Sequence, residues 1–238
     1  MQALILAGGK GTRLRPYTSV LPKPLMPLGD ASILSIILRQ LKRAGATEVI
    51  LAVNYLHHII QAVLGDGGPH GLKITYSLEE RELGTAGPIA LAFDRLDDDF
   101  LILNGDILTT LDFAGLFAVH REGGQAATIA VHPREVPVDF GVIRTDEAGL
   151  LIDYDEKPTL RYEVSMGVNV LNKAAIAGHI EKNVRLDMPD LLMRLARAGE
   201  KVFCRREPCF WLDIGRIDDY NTANQSFDSM KKDFLPES

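Results

Sequence analysis

The stretch Leu4-Ile5-Leu6-Ala7-Gly8-Gly9-Lys10-Gly11-Thr12-Arg13-Leu14-Arg15 decides how the rest of the chain is read. Leu4 to Leu6 is a short apolar run of the kind that forms a buried strand, and glycines followed by basic residues come directly after it. Glycine has no Cβ, so backbone amides can close on anionic oxygens; a strand feeding such a loop is a common way for a backbone to approach phosphate. Two familiar phosphate-loop patterns do not fit. The dinucleotide fingerprint needs a third glycine where Leu14 stands, and the Walker A pattern needs Gly-Lys followed by Ser or Thr. A glycine loop alone also serves ordinary turns, so its neighbours must decide.

The nearest neighbour is Pro22-Lys23-Pro24. Two prolines restrict the backbone around one lysine and aim it. Arg13, Arg15 and Lys23 together could neutralise a triphosphate. That local cluster stands out because the chain of 238 residues carries a formal charge of -6. An acidic chain has no general attraction for nucleic acid or an anionic membrane, so neither is expected as a partner.

Further out, short apolar runs alternate with amphipathic segments. Strands are expected at Val49 to Val53, Leu72 to Tyr76 and Phe100 to Leu103. Helices are expected at Ile33 to Ala44, with Ser32 as N-cap, at His57 to Leu64 and at Ala86 to Phe93. This alternation predicts an α/β fold: a Rossmann-like, mixed but mainly parallel central sheet with helices on both faces. The second half has closely spaced short runs at Ala127 to Val131, Gly141 to Arg144, Leu151 to Tyr154 and Gly167 to Leu171, an antiparallel or mixed extension of the sheet. A strand at Lys201 to Cys204 separates helices near Met188 to Ala198 and Asp218 to Phe227, and the tail from Lys231 is expected to fray. With no linker and no repeat, the reading is one domain over 1–238, residues 1–110 binding nucleotide and 111–230 shaping an acceptor pocket.

Two carboxylates lie where chemistry is expected. Asp106 follows an apolar strand in Leu103-Asn104-Gly105-Asp106, and ligands of open α/β sheets bind beyond the carboxyl ends of strands. Asp213 lies in the apolar setting Phe210-Trp211-Leu212-Asp213-Ile214-Gly215 and needs a cation partner if buried. Mg²⁺ takes one or two carboxylates plus phosphate oxygens, so one acid from each half would suit it. An N-cap or turn role for Asp106 is the competing reading. His57, His58 and His120 are read as surface or partly buried helix residues, and Asp97-Asp98-Asp99 as a solvated turn. Cys204 and Cys209 match no zinc or disulfide pattern. The N-terminus has no signal-peptide pattern, and no apolar run is long enough to span a bilayer. A reducing, cytoplasmic setting is the expectation.

Several motifs in order resemble the sugar-nucleotide pyrophosphorylases, the nucleoside triphosphate–sugar-1-phosphate nucleotidyltransferases. They are residues 6–14, Pro22-Lys23-Pro24, Leu83-Gly84-Thr85-Ala86-Gly87, Asn104-Gly105-Asp106, Glu156-Lys157-Pro158 and Trp211-Leu212-Asp213-Ile214-Gly215. The resemblance implies the nucleotide-diphospho-sugar transferase fold, Mg²⁺ as cofactor, and a nucleoside triphosphate and a sugar 1-phosphate as substrates. It implies that Leu6, Ala7, Gly8, Gly9, Gly11 and Thr12 wrap the base and triphosphate, with Gly84 and Thr85 against the base. Arg13, Lys23 and Lys157 would be catalytic cations, Asp106 and Asp213 the metal ligands, and Gly141, Glu156, Lys157 and Asn169 the sugar-phosphate pocket. Some members carry a β-helix or regulatory domain, which this chain is expected to lack. A homodimer is compatible with the sequence.

Five residues before Gly84, relatives that use UTP or dTTP carry a Gln. Here the residue is Glu79, an acceptor only, and guanine presents N1–H and a 2-amino group as adjacent donors. The expectation is GTP, with the stretch 77–84 resembling mannose- and heptose-1-phosphate guanylyltransferases and the sugar of mannose or manno-heptose type. A UTP, dTTP or CTP enzyme acting on glucose 1-phosphate is the alternative within the family. Outside it stand a metal-dependent glycosyltransferase, which usually has a paired-Asp motif, and a catalytically inactive regulatory homologue. Lys23, Asp106 and Asp213 argue against the inactive homologue.

Overall fold

The computed structural model describes residues 1–235. In chain order the elements are β1 (Gln2–Leu6), β2 (Pro27–Leu28), β3 (Ala31–Ser32), α1 (Ile33–Arg43), β4 (Glu48–Val53), α2 (His57–Leu64), β5 (Lys73–Leu78), α3 (Gly87–Ala92), β6 (Asp99–Asn104) and β7 (Ile107–Thr109). Then follow α4 (Phe113–Gly123), β8 (Ala127–Pro137), β9 (Val142–Thr145), β10 (Leu151–Asp155), β11 (Thr159–Asn172), α5 (Lys173–Ile176), α6 (Met188–Arg197), β12 (Val202–Arg206), β13 (Trp211–Asp213), α7 (Ile217–Ser229) and α8 (Lys231–Phe234).

Seven strands form one sheet in the order β12-β8-β11-β6-β1-β4-β5. β6, β1, β4 and β5 run parallel, β11 runs against both β6 and β8, and β12 is parallel to β8. β11 is thus the single reversed strand, and the sheet is mixed but mainly parallel, as the sequence predicts. Alternate residues of each strand feed two cores, because side chains alternate across a strand. Ala3 and Ile5 of β1 pack with Leu101, Leu103, α1 and α7, whereas Leu4 packs with Phe100, Ile102, α3 and α6. Helices therefore cover both faces. Among the described residues no helix is long and apolar enough to cross a membrane.

Local chemistry sets the element ends. Ser32 caps α1 by accepting the Ser35 N–H at 3.1 Å, and Gly45 follows with φ +88°, a left-handed stop. Five expectations need correction. First, β8 and β11 run far beyond the expected 127–131 and 167–171, because they pair with each other from Ala127 to Pro137. Second, α4 is an unanticipated helix, although Asp112 caps it by accepting the Gly115 N–H at 3.0 Å. Third, the tail does not fray at Lys231. α8 seats Phe234, fully buried, between Phe227 and Phe210 at ring distances of 5.9 and 5.3 Å; residues 236–238 lie outside the described residues. Fourth, His120 is fully buried, its Nδ1 2.9 Å from Thr128 Oγ1. Fifth, Asp99 is no solvated turn residue; it opens β6 and accepts from Asn172 Nδ2 at 2.8 Å.

Candidate active site

The site gathers at the carboxyl ends of β1 and β6. The Gly105 N–H donates to the Leu6 carbonyl at 2.9 Å, tying the end of β6 to the end of β1. The glycine loop starts there. A Cβ added at Gly8 would fall 3.0 Å from Glu79 Oε1, so loop and acid lie in close contact. Gly11 has φ +58°, where side chains are disfavoured, and a Cβ there would meet Thr18 Cγ2 at 2.9 Å. The Thr18 hydroxyl donates to the Gly11 carbonyl at 2.7 Å and fixes that turn. From it a short 3₁₀ turn, Thr12–Leu14, buries Leu14 and leaves Arg13 exposed.

Lys23 sits in a second 3₁₀ turn, Lys23–Leu25, after Pro22. It is 8% exposed, and its ammonium pairs with Asp106 Oδ2. Asp213 is brought in by β13, which pairs antiparallel with β7 so that Asp213 opposes Ile107. The Ile214 N–H donates to the Asp106 carbonyl at 3.1 Å and locks the two acidic segments together. Burial pushes the Asp213 carboxyl above the usual range, and the Asp106 charge pushes it further; Lys23 and Arg13 pull it down without cancelling the rise. Arg13, Lys23, Asp106 and Asp213 thus share one electrostatic neighbourhood.

Beside them opens a cleft of about 440 Å³. Leu6, Thr85, Asn169 and Asp213 line it, as do Asn104, Ser165, Met166, Met188 and Trp211, which the sequence reading did not assign to the site. Trp211 is held there by its indole N–H, which donates to the Met166 carbonyl at 2.9 Å. Asn169 is 3% exposed, and its Oδ1 has no hydrogen-bond partner among the described residues. A buried acceptor left unpaired is costly, so a donor on a ligand in the cleft is its natural complement.

Glu79 is also buried, with Oε2 accepting the Leu83 N–H at 3.3 Å. Burial raises its carboxyl above the ordinary range despite that hydrogen bond, and Glu82 adds to the rise. Gly84 has φ +78° and lies against Leu186 O and Asp187, while the Thr85 hydroxyl accepts the Met188 N–H at 2.7 Å and so caps α6. Gly141, Glu156 and Lys157 do not line the cleft. They sit together in a bend beyond β8 and β11, where the Tyr154 hydroxyl donates to Glu156 Oε2 at 3.1 Å and Lys157 has φ +49°. His57 and His58 lie on α2 and His120 on α4, outside this cleft. Cys204 and Cys209 are free thiols.

The family model described as nucleotidyl transferase matches residues 2–229. The chain belongs to the nucleotidyl transferase family. Within it, the chain is 38% identical to a probable mannose-1-phosphate guanylyltransferase 1 of Oryza sativa subsp. japonica, over 98% of this chain and 66% of the relative. It is 31% identical to a UTP–glucose-1-phosphate uridylyltransferase of Synechocystis, over 92% of this chain and 61% of that protein. The chain therefore spans about two thirds or less of these relatives. The fold matches a putative glucose-1-phosphate thymidylyltransferase of Bacillus anthracis with a TM-score of 0.78 at 22% identity, covering 94% of each chain. In this member of the nucleotidyl transferase family, Arg13, Lys23 and Asp106 gather around Asp213, which lines the cleft.

Proposed function

We propose that the chain transfers a nucleotidyl group from a nucleoside triphosphate, GTP by preference, to a sugar 1-phosphate of mannose or manno-heptose type, releasing pyrophosphate. The observation that carries this reading is the Lys23–Asp106 ion pair in one electrostatic neighbourhood with Arg13 and with Asp213, which lines the cleft. Residues 1–110 take the nucleotide and 111–230 the sugar phosphate.

The attacking oxygen of a sugar 1-phosphate is already an anion, so no general base is needed. The barrier comes from bringing two polyanions together, and the protein lowers it by positioning and by fixed positive charge. Arg13 and Lys23 neutralise the triphosphate, and the amides of Gly8, Gly9 and Gly11 cradle it. Lys157 and Glu156, with Gly141, hold the acceptor from the bend, and Asn169 Oδ1 accepts a sugar hydroxyl. Glu79, packed against Gly8, accepts the N1–H and 2-amino donors of guanine.

The donor set fits Mg²⁺: two carboxylates, from Asp106 and Asp213, with only oxygen ligands and with mutual repulsion that a cation relieves. Bound there, Mg²⁺ would offset the charge of the phosphates. The deciding experiment is a matrix of GTP, UTP, dTTP and CTP against mannose, heptose and glucose 1-phosphates, read by pyrophosphate release. Turnover best with GTP and a manno-configured acceptor supports the proposal. Turnover only with UTP or dTTP removes the role given to Glu79, and no turnover with any pair returns the inactive homologue.

A further inference from the structure

Asp213 enters the site on a turn, and that turn is pinned from both sides. The Ile214 N–H donates to the Asp106 carbonyl at 3.1 Å, and the Gly215 and Arg216 N–H groups both donate to Asp219 Oδ2, at 3.1 and 2.7 Å. Capping of α7 accounts for only the second of the Asp219 bonds. An acid at the third position of a helix ordinarily takes the N–H of the residue before the helix, here Arg216. The bond from Gly215 reaches one residue further back, toward Asp213, and serves the turn rather than the helix.

Gly215 shows what the turn brings together. A Cβ placed there would lie 3.1 Å from Asp213 Oδ2, 3.4 Å from Asp219 Oδ2 and 3.5 Å from Arg13 Nη2. Two carboxylates and a guanidinium thus close on the bare face of one glycine. Like charge would drive Asp219 and Asp213 apart unless the backbone held both. Asp219 is itself fixed, because α7 is firmly seated. Ala223 and Phe227 are fully buried, and the neighbouring Tyr220 hydroxyl donates to the Pro27 carbonyl at 2.5 Å. Pro27 follows the turn that carries Lys23. Tyr220 also packs on Tyr17, at a ring distance of 6.3 Å, just beyond Arg13 and Arg15. The first turn of α7 therefore borders the segments that carry Arg13, Lys23 and Asp213.

We propose that Asp219 is a positioning residue of the site: through the Gly215 and Arg216 amides it holds the turn that sets Asp213 beside Asp106 and Arg13. It acts through the backbone, since the oxygen facing Gly215 already accepts two N–H donors, and a carboxylate oxygen offers about two such places. Placement matters because Mg²⁺ demands near-ideal ligand geometry, and a misplacement of about 1 Å can cost about a hundredfold in rate. The inference rests on the nucleotidyl transfer proposed above only for its kinetic consequence; the hold itself is a property of the free protein.

Asp219→Ala and Asp219→Asn separate this hold from a plain stabilising role. Asn keeps an oxygen acceptor and caps helices about as well as Asp, so it should retain the hold that Ala removes. Amide exchange followed by NMR without ligand should be at least about tenfold faster at Gly215 and Arg216 in Asp219→Ala, while the amides of the β7–β13 ladder stay as protected as in the parent. In the transfer assay, with a thermal melt alongside, kcat of Asp219→Ala should fall at least about tenfold with KM for the triphosphate within about twofold of the parent, and Asp219→Asn should recover kcat to within about threefold. The proposal is overturned by unchanged exchange at Gly215 and Arg216 in Asp219→Ala, by an Ala variant as fast as the parent, or by an Asn variant as slow as the Ala variant. A loss of kcat that cooling restores in proportion to the folded fraction overturns it too. If the parent turns over no substrate pair, the proposed function fails and the exchange result alone decides the hold.

Discussion

Lys23 and Asp106 lie 83 positions apart in the chain and meet as a largely buried ion pair beside Asp213, which lines the cleft. Neither can lose its partner cheaply. A buried charge stranded by removal of its mate costs several kcal/mol, and here the same pair adjoins Asp213, a residue of the cleft. The pair is thus both a structural tie between the Pro22-Lys23-Pro24 turn and the end of β6 and the core of the proposed chemistry.

Lys23→Ala and Asp106→Ala should each lower turnover at least about a hundredfold, roughly 2.7 kcal/mol of lost transition-state stabilisation. Pyrophosphate release by purified variants, with a thermal melt alongside, checks this. The loss must appear at temperatures where the variant remains folded.

Glu79 supports a prediction about base choice and one about pH. Replacing it with Gln exchanges a bidentate acceptor for a group that also donates. The ratio of kcat/KM for GTP to that for UTP should fall at least about tenfold, since a hydrogen bond to a charged group is worth roughly 1.5–3 kcal/mol. The carboxyl is raised in the folded protein by burial, so the folded state holds its proton more tightly than the unfolded chain. Its contribution to stability is fully present below the unfolded pKa and is lost as pH rises through the folded one. Glu79→Gln should therefore melt higher than the parent at neutral pH, and the advantage should shrink as pH falls toward the ordinary Glu value of 4.5. Melting curves across pH 4 to 8 give the sign directly.

Asn169 sets stability against function. Its buried Oδ1 has no partner among the described residues, and such an orphan costs about 1–3 kcal/mol. Asn169→Leu should raise the melting temperature by roughly 2–4 °C per kcal/mol recovered, for a chain of this size. The same variant should raise KM for the sugar 1-phosphate at least about tenfold while leaving KM for the triphosphate nearly unchanged. A variant that loses stability and keeps its acceptor affinity would show that the amide faces protein rather than ligand.

What could be read from the chain follows the range of the interactions involved. β1, β4 and β6 are buried on both faces, so their apolar runs announce them, and the glycine loop is a local feature whose residues are contiguous. The meeting of Asp106 with Asp213 is of a different kind. It depends on a three-residue ladder between β7 and β13, elements too short to have a period, and on the single Ile214 N–H to Asp106 hydrogen bond. Ser165 and Met166 reach the cleft because β11 shifts register between Ser165 and Asn169, which no alternation pattern encodes. The ribbon of β8 and β11 escaped a local reading as well, because its short runs look like separate strands until β8 and β11 are seen to pair from Thr159–Pro137 to Leu171–Ala127 across that register shift.

The chain end makes the same point in a testable way. A charged stretch near the terminus, Lys231-Lys232-Asp233, reads as a frayed tail, yet Phe234 behind it is fully buried. Its ring stacks on Phe227 and meets Phe210 edge-on, and its carbonyl accepts from Gln40 Nε2 at 3.0 Å. The same Gln40 amide donates to the Thr109 carbonyl at 2.8 Å, at the end of β7. The terminal helix therefore buttresses α1 and the β7–β13 ladder that carries Asp213. Phe234→Ala should destabilise the protein by about 3–5 kcal/mol, the range for truncating a buried aromatic. Deleting residues 231–238 should do at least as much, and turnover should fall with it even at temperatures below the melt. Urea denaturation checks the first figure; a truncated chain as stable as the parent would show that α8 is dispensable and that the ladder stands without it.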